Sequence, residues 1–179
     1  MSEQFLEILK KGQSKKNADK IKDAVISNPS RIRELMDCFL SDDLRICQNA
    51  SWPVGLLGIE HGELFLPYFD EMISAIEKPQ HDAVVRNTFR VWQFMEIPED
   101  FEGPIYDLGF SFLQDMKAAI AIKVFAMTVL VNIASKYPDL TDELIPAIEE
   151  QFPHGSKGFQ SRAKKELKRL HQIASQANA

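Results

Sequence analysis

Apolar residues recur along this chain at spacings of three and four, and no alternating run long enough to mark a strand interrupts them. In AVVRNTFRVWQFM, Val84, Val85, Thr88, Val91, Trp92 and Met95 fall on one side of a helical projection, while Arg86, Arg90 and Gln93 share the other. This periodicity predicts helices at about 2–11, 17–27, 30–40, 43–60, 63–77, 80–96, 99–115, 117–136, 140–152 and 157–174. The connections are short and rich in helix breakers, as in KKGQS, SNPS, EHGE, EKPQHD and KYPDL. Short links favour antiparallel neighbours.

One segment departs from the amphipathic pattern. AAIAIKVFAMTVLVNIA, Ala118 to Ala134, carries a single charge, Lys123. As a helix it would reach about 26 Å, short of the ~30 Å hydrocarbon core of a bilayer, and a charge inside it adds to the cost of placing it there. A helix that is apolar nearly all round and spans nothing is expected to lie between other helices of its own protein. No membrane partner is expected.

Two markers recur in step. Prolines at 29, 67, 104 and 146 fall early in the first helix of successive pairs, at intervals of 38, 37 and 42. Arg45, Arg86, Lys123 and Arg162 fall early in the second helix, at intervals of 41, 37 and 39. A helical pair repeating about every 40 residues is the pattern of HEAT and armadillo arrays, in which each pair buries its faces against the next. The expected fold is therefore an all-α superhelix, a HEAT/armadillo-like solenoid of about four to five antiparallel pairs. It is read as one domain over 1–179, with an N-terminal helical cap at 1–27 and repeats over 28–174. Trp52 and Trp92 lie 40 apart and are expected to share a structural role in adjacent pairs. Pro53 cannot donate a backbone hydrogen bond, which predicts a kink, with Asn49 or Ser51 and water serving the freed groups.

The segments LRICQNASWPVGLLGIEHGELFLPYFDEM, AVVRNTFRVWQFME and IAIKVFAMTVLVNIASKYPDLTDELIPAIEEQFPHGSKGFQSRAKKELKRL resemble a family of short bacterial HEAT-like proteins. Its members show a Trp-containing helix, a VR helix, a VKA-SMTTL type helix and a final basic RA-xx-LK helix. The resemblance covers about residues 28–170 and is most specific over 117–170. Some members carry the name adenylosuccinate lyase. The catalytic loop of that enzyme is Ser-rich around a Met-Pro-x-Lys-x-Asn core, and the nearest fragments here, KYPDL and HGSKGF, lack those residues. That chemistry is not expected to transfer. Many HEAT repeats also place an Asp six residues before the Arg, whereas Phe39 and Gln80 stand at those positions here. Asp42, Asp43 and Asp82 fall near helix starts, where capping is their expected role.

Composition adds a compartment and a charge pattern. With 179 residues, 45% of them hydrophobic, the chain is long enough for a domain that buries roughly 70% of its unfolded surface. Cys38 and Cys47 have no CxxC motif and no His at metal-ligand spacing, as expected of reduced core thiols in a cytoplasmic protein. The start, MSEQFLEILKKGQSKK, holds Glu3 and Glu7 and no apolar stretch of signal-peptide type. Lys10, Lys11, Lys15, Lys16, Lys20 and Lys22 make one end basic, and Lys157, Arg162, Lys164, Lys165, Lys168 and Arg169 the other. Since the net charge is −5, the middle is strongly acidic.

Candidate chemistry is sparse. His61, His81, His154 and His171 are scattered over loops and helix ends, and no GxxxxGK[ST], GxGxxG or GxSxG segment occurs. No catalytic residue, metal or cofactor is expected. The remaining candidates are Arg45, Arg86, Arg90 and Lys123, which second helices of a HEAT-like array would present on a concave binding face. The alternative for them is pairing with Glu or Asp of neighbouring helices. The expected partner is another protein or a second copy of this chain. A nucleic-acid-binding or alkylated-base-removing HEAT-like enzyme is the other reading, and the acidic middle argues against it.

Overall fold

The computed structural model describes residues 3–77 and 81–177, and every regular element among them is helical. All ten expected helices are present among the described residues. The predicted starts at residues 2 and 80 lie outside them. Two compact units, Met1–Glu96 and Ile97–Ala179, hold the helices.

The first unit contains α1 (Glu3–Lys10), α2 (Lys15–Ser27), α3 (Ile32–Phe39), α4 (Leu44–Glu60), α5 (Phe69–Glu77) and α6 (Asp82–Trp92). Local chemistry sets several of the starts. The Ser14 hydroxyl accepts from the Asn17 N–H at 3.1 Å, and the Asp43 carboxylate accepts from the N–H groups of Arg45 and Ile46 at 2.9 and 3.1 Å. At α6 the cap is His81 rather than Asp82: its Nδ1 accepts from the Ala83 N–H at 2.9 Å. Asp82 is instead the first helical residue, where its charge still favours the helix N-terminus. The first helices of the pairs open in 3₁₀ turns at Pro29–Arg31 and Gly62–Tyr68, so their α-helical parts are shorter than the periodicity predicts. The end of α6 also tightens, with Phe94 and Met95 donating to carbonyls three residues back, so the expected end at 96 becomes Trp92.

Helix α4 is the hub of this unit, packing on α1, α2, α3 and α6. Val54 and Leu57 of α4, Leu35 and Phe39 of α3, and Phe89 and Trp92 of α6 are fully buried. Trp92 stacks on Phe69 with ring centroids 5.7 Å apart and meets Phe89 edge-on at 5.5 Å. It is therefore a core residue, while Trp52 is half-buried. Helix α4 continues through Pro53 as one α-helix. The two side chains expected to serve the carbonyl freed by Pro53 are committed elsewhere. The Asn49 amide donates to the Leu9 carbonyl at 3.0 Å, which ties α1 down, and the Ser51 hydroxyl donates to the Cys47 carbonyl at 2.8 Å. A second tether holds α1, because the Phe5 N–H donates to the buried Glu34 carboxylate at 2.8 Å and the Arg31 guanidinium bridges that carboxylate and the Phe5 ring.

The second unit contains α7 (Glu99–Gln114), α8 (Ile120–Ala134), α9 (Thr141–Gln151) and α10 (Lys157–Ala177). Helix α8, the apolar segment of the sequence, packs on both α7 and α10 and buries Ile122, Met127, Val129, Leu130 and Ile133. Each such side chain contributes roughly 1.5–3 kcal/mol on removal from water. Helix α10 buries Phe159, Ala163 and Leu170 and leaves Lys164, Lys165 and Lys168 exposed, the one-sided pattern of a terminal repeat.

Candidate functional site

Arg86 and Arg90 lie on α6 four residues apart, one turn of helix, with Arg86 exposed and Arg90 half-buried. The space that receives Arg90 is made by a glycine. A Cβ at Gly55 of α4 would stand 2.8 Å from Asn87 Oδ1 and 3.3 Å from Arg90 Nη1, so the bare glycine lets both side chains lie close against α4, and a larger residue would press them outward. One turn on, a Cβ at Gly58 would stand 2.5 Å from Val91 Cγ2, and Gly62 faces Met95. These contacts advance in the same direction on both helices, so α4 and α6 run parallel, as second helices of successive repeats should. The same register sets Arg45, exposed at the start of α4, about two turns N-terminal of the Arg86 level.

The arginines divide into two groups. Arg31 pairs with Glu34, Arg33 with Asp37 and Glu71, and Arg162 and Arg169 with Glu166. Arg45, Arg86 and Arg90 form no ion pair with any described carboxylate. Burial pushes the Arg90 guanidinium below its ordinary pKa, and the charge of Arg86 pushes in the same direction. Pairing with neighbouring helices, the alternative held open for these residues, is thus not what α6 displays.

Lys123 has different surroundings. It is 6% exposed on α8, and its Nζ donates to Gln151 Oε1 at 2.7 Å. The Gln151 amide in turn donates to the carbonyls of Leu113 and Ala147 at 2.8 and 3.3 Å. Burial lowers the Lys123 pKa, with the charge of Asp115 opposing. Of the four candidates, then, Arg86 and Arg90 stand together, Arg45 is displaced along α4, and Lys123 is held inside the second unit.

Other reactive groups are engaged or inert. Both cysteines are free and buried; burial pushes the Cys38 thiol up to about 11, with Glu34 and Asp37 adding to it. His61 Nδ1 lies 3.6 Å from Glu63, and among the described residues no group of three or more His, Cys, Asp or Glu is gathered to hold a metal ion. The pattern of charges alone does not show the part played by Gly55 and Asn87. Their signal is two glycines three apart inside a predicted helix, a cost of about 1 kcal/mol each that a close approach of backbones explains.

Comparison with known proteins identifies a HEAT repeat domain over residues 5–170. No curated protein and no solved structure shows significant similarity to the chain. Among the described residues no helix is long and apolar enough to cross a membrane.

Proposed function

Because the chain belongs to the HEAT repeat domain family, we propose that it is a non-catalytic, cytoplasmic interaction module whose α4–α6 face takes an acidic segment of another protein. The observation that carries this reading is the pair Arg86 and Arg90, with no described carboxylate within ion-pair distance in a chain of net charge −5. Acidic side chains are abundant, and Arg31, Arg33, Arg162 and Arg169 use them, whereas Arg45, like the α6 pair, does not. Two adjacent guanidinium forks match carboxylates in bidentate geometry, and Arg90 has already lost part of its water. A carboxylate-rich segment would relieve their mutual repulsion.

The test compares capture by the wild-type chain and by an Arg86→Glu/Arg90→Glu variant from native extract, followed by size-exclusion chromatography of the purified pair. The expected result is a partner held by the wild type, released by added salt and lost from the variant. Equal capture by both proteins removes this face as the binding surface. A gel shift with duplex DNA at low salt separates the nucleic-acid reading: retardation that the double variant abolishes would replace the acidic partner with a phosphate backbone.

A further inference from the structure

The second unit holds a separate feature that the arginine face does not explain. A cleft of about 550 Å³ opens beside α8, with Lys123 in its lining. Its volume falls within the ~300–1,000 Å³ of small-molecule sites. We infer that this cleft binds a small amphipathic carboxylate, with Lys123 holding the carboxylate and Met116, Ile120 and Phe159 covering the apolar part.

Three observations support the assignment. First, Lys123 is buried in an apolar helix where a hydrophobic residue of similar volume would normally be as stable or more so, which makes its retention there informative. Second, its ammonium group is incompletely satisfied. It has three donors, and the one acceptor it meets among the described residues, the Gln151 side-chain oxygen, is neutral. Gln151 is fixed by two bonds to backbone carbonyls of α7 and α9, so the lysine is held in one place rather than left to swing into solvent. Third, two large apolar side chains stand exposed at the mouth of the cleft among its polar residues. Met116 is 79% exposed and Ile120 50%, the largest such values on α8 and the segment before it, and Phe159 and Ala147 continue the surface inward. Glu150 and His154 also line the cleft, and Asp115 acts on Lys123 from beyond ion-pair distance. A carboxylate is therefore attracted to Lys123 and repelled by Glu150, which orients the charged end toward α8.

The probe is octanoate, with octanamide as its uncharged match, titrated against the full chain carrying ¹³C-methyl methionine. Octanoate is expected to shift the Met116 methyl resonance saturably and to bind at least about tenfold more tightly than octanamide. In Lys123→Met that preference is expected to disappear while octanamide binding persists. Two surface variants keep the test independent of any folding defect in Lys123→Met: Ile120→Glu is expected to weaken octanoate and Glu150→Gln to strengthen it. Arg86→Glu/Arg90→Glu should leave octanoate binding unchanged, so failure of the arginine face and failure of this site are told apart. The inference is overturned if octanoate leaves Met116 unmoved, if octanamide binds equally well, or if Ile120→Glu and Glu150→Gln are both without effect.

Discussion

The Thr128 hydroxyl on α8 donates to the Glu166 carboxylate on α10 over 3.1 Å, joining two successive second helices through a glutamate with no exposed surface. Arg162 contacts both Thr128 and Glu166, and Arg169 spans Glu166 at 2.7 Å and Asn132 Oδ1 at 2.8 Å. Here two arginines of the terminal helix satisfy a buried acid of the same helix, and Thr128 and Asn132 receive the whole set. Removing one member of a buried charge network leaves the others uncompensated, which typically costs ~3–5 kcal/mol. The arginines left behind by Glu166→Ala have side chains 26% and 36% exposed and are reached by water, so that variant is expected to lose less, ~1–3 kcal/mol in urea unfolding, and Thr128→Val about 1 kcal/mol. A double-mutant cycle should show coupling of roughly 0.5–3 kcal/mol; strict additivity would mean the hydroxyl and the carboxylate act separately.

The two glycines of α4 give a prediction of opposite sign to that of an ordinary helical glycine. Gly→Ala inside a helix gains about 0.5–1 kcal/mol from backbone entropy and propensity. At Gly158, in the first turn of α10, the added Cβ meets only Ser156 Oγ at 3.8 Å, an ordinary contact, so Gly158→Ala should stabilise by part of that amount. At Gly58 the Cβ would stand 2.5 Å from Val91 Cγ2 and 3.0 Å from Val91 Cα, and backbone cannot turn aside as a flexible side chain can. Overpacking costs typically ~1–3 kcal/mol, so Gly58→Ala should be destabilising on balance. Thermal melts of both variants check the contrast, and a stabilised Gly58→Ala would refute the close approach of α4 and α6.

The helices were legible because their apolar spacing and breakers are local properties, and so was the Arg86/Arg90 pair, which needs only the four-residue spacing of one helix. What sequence did not reveal is who answers a given polar group across the fold. Asn49 reads as a local helper of Pro53, yet its amide meets Leu9, 40 residues away. Lys123 keeps the spacing of the arginine series, but its acceptor is Gln151, 28 residues on, and burial rather than spacing decides its character. Glu166 did leave a trace, as the single acid in a basic terminal helix. Its partners Thr128 and Asn132, on another helix, left none.

Glu102 gives the pH dependence of the second unit. Burial pushes its carboxyl pKa up, but hydrogen bonds from Lys136 at 2.6 Å and Tyr137 at 2.7 Å, together with the lysine charge, outweigh this and hold it below its ordinary value. A carboxyl with a depressed folded-state pKa contributes stability that is present above its unfolded pKa and lost as pH falls through the folded one. The stability gap between wild type and Glu102→Gln should therefore be full at neutral pH and shrink on acidification below about pH 4.5, the ordinary range for a glutamate. Urea midpoints across pH 7 to 3 measure it. A gap that widens toward acid would mean that burial, not the lysine and tyrosine, governs this carboxyl.

Arg86 and Arg90 set the last prediction, because an unpaired cationic pair should weaken the free protein while serving a partner. Like charges one helical turn apart cost ~0.2–0.5 kcal/mol, and no described carboxylate offsets them. Arg86→Gln should then raise the urea midpoint at low ionic strength, and the gain should fade near physiological salt, where screening acts over about 8 Å. The same variant should hold an acidic partner more weakly. Improved stability with diminished binding is the signature of a residue kept for contact rather than for folding. If Arg86→Gln instead destabilises the chain at low salt, Arg86 has an acidic companion within the fold, and the α4–α6 face loses its claim to an outside one.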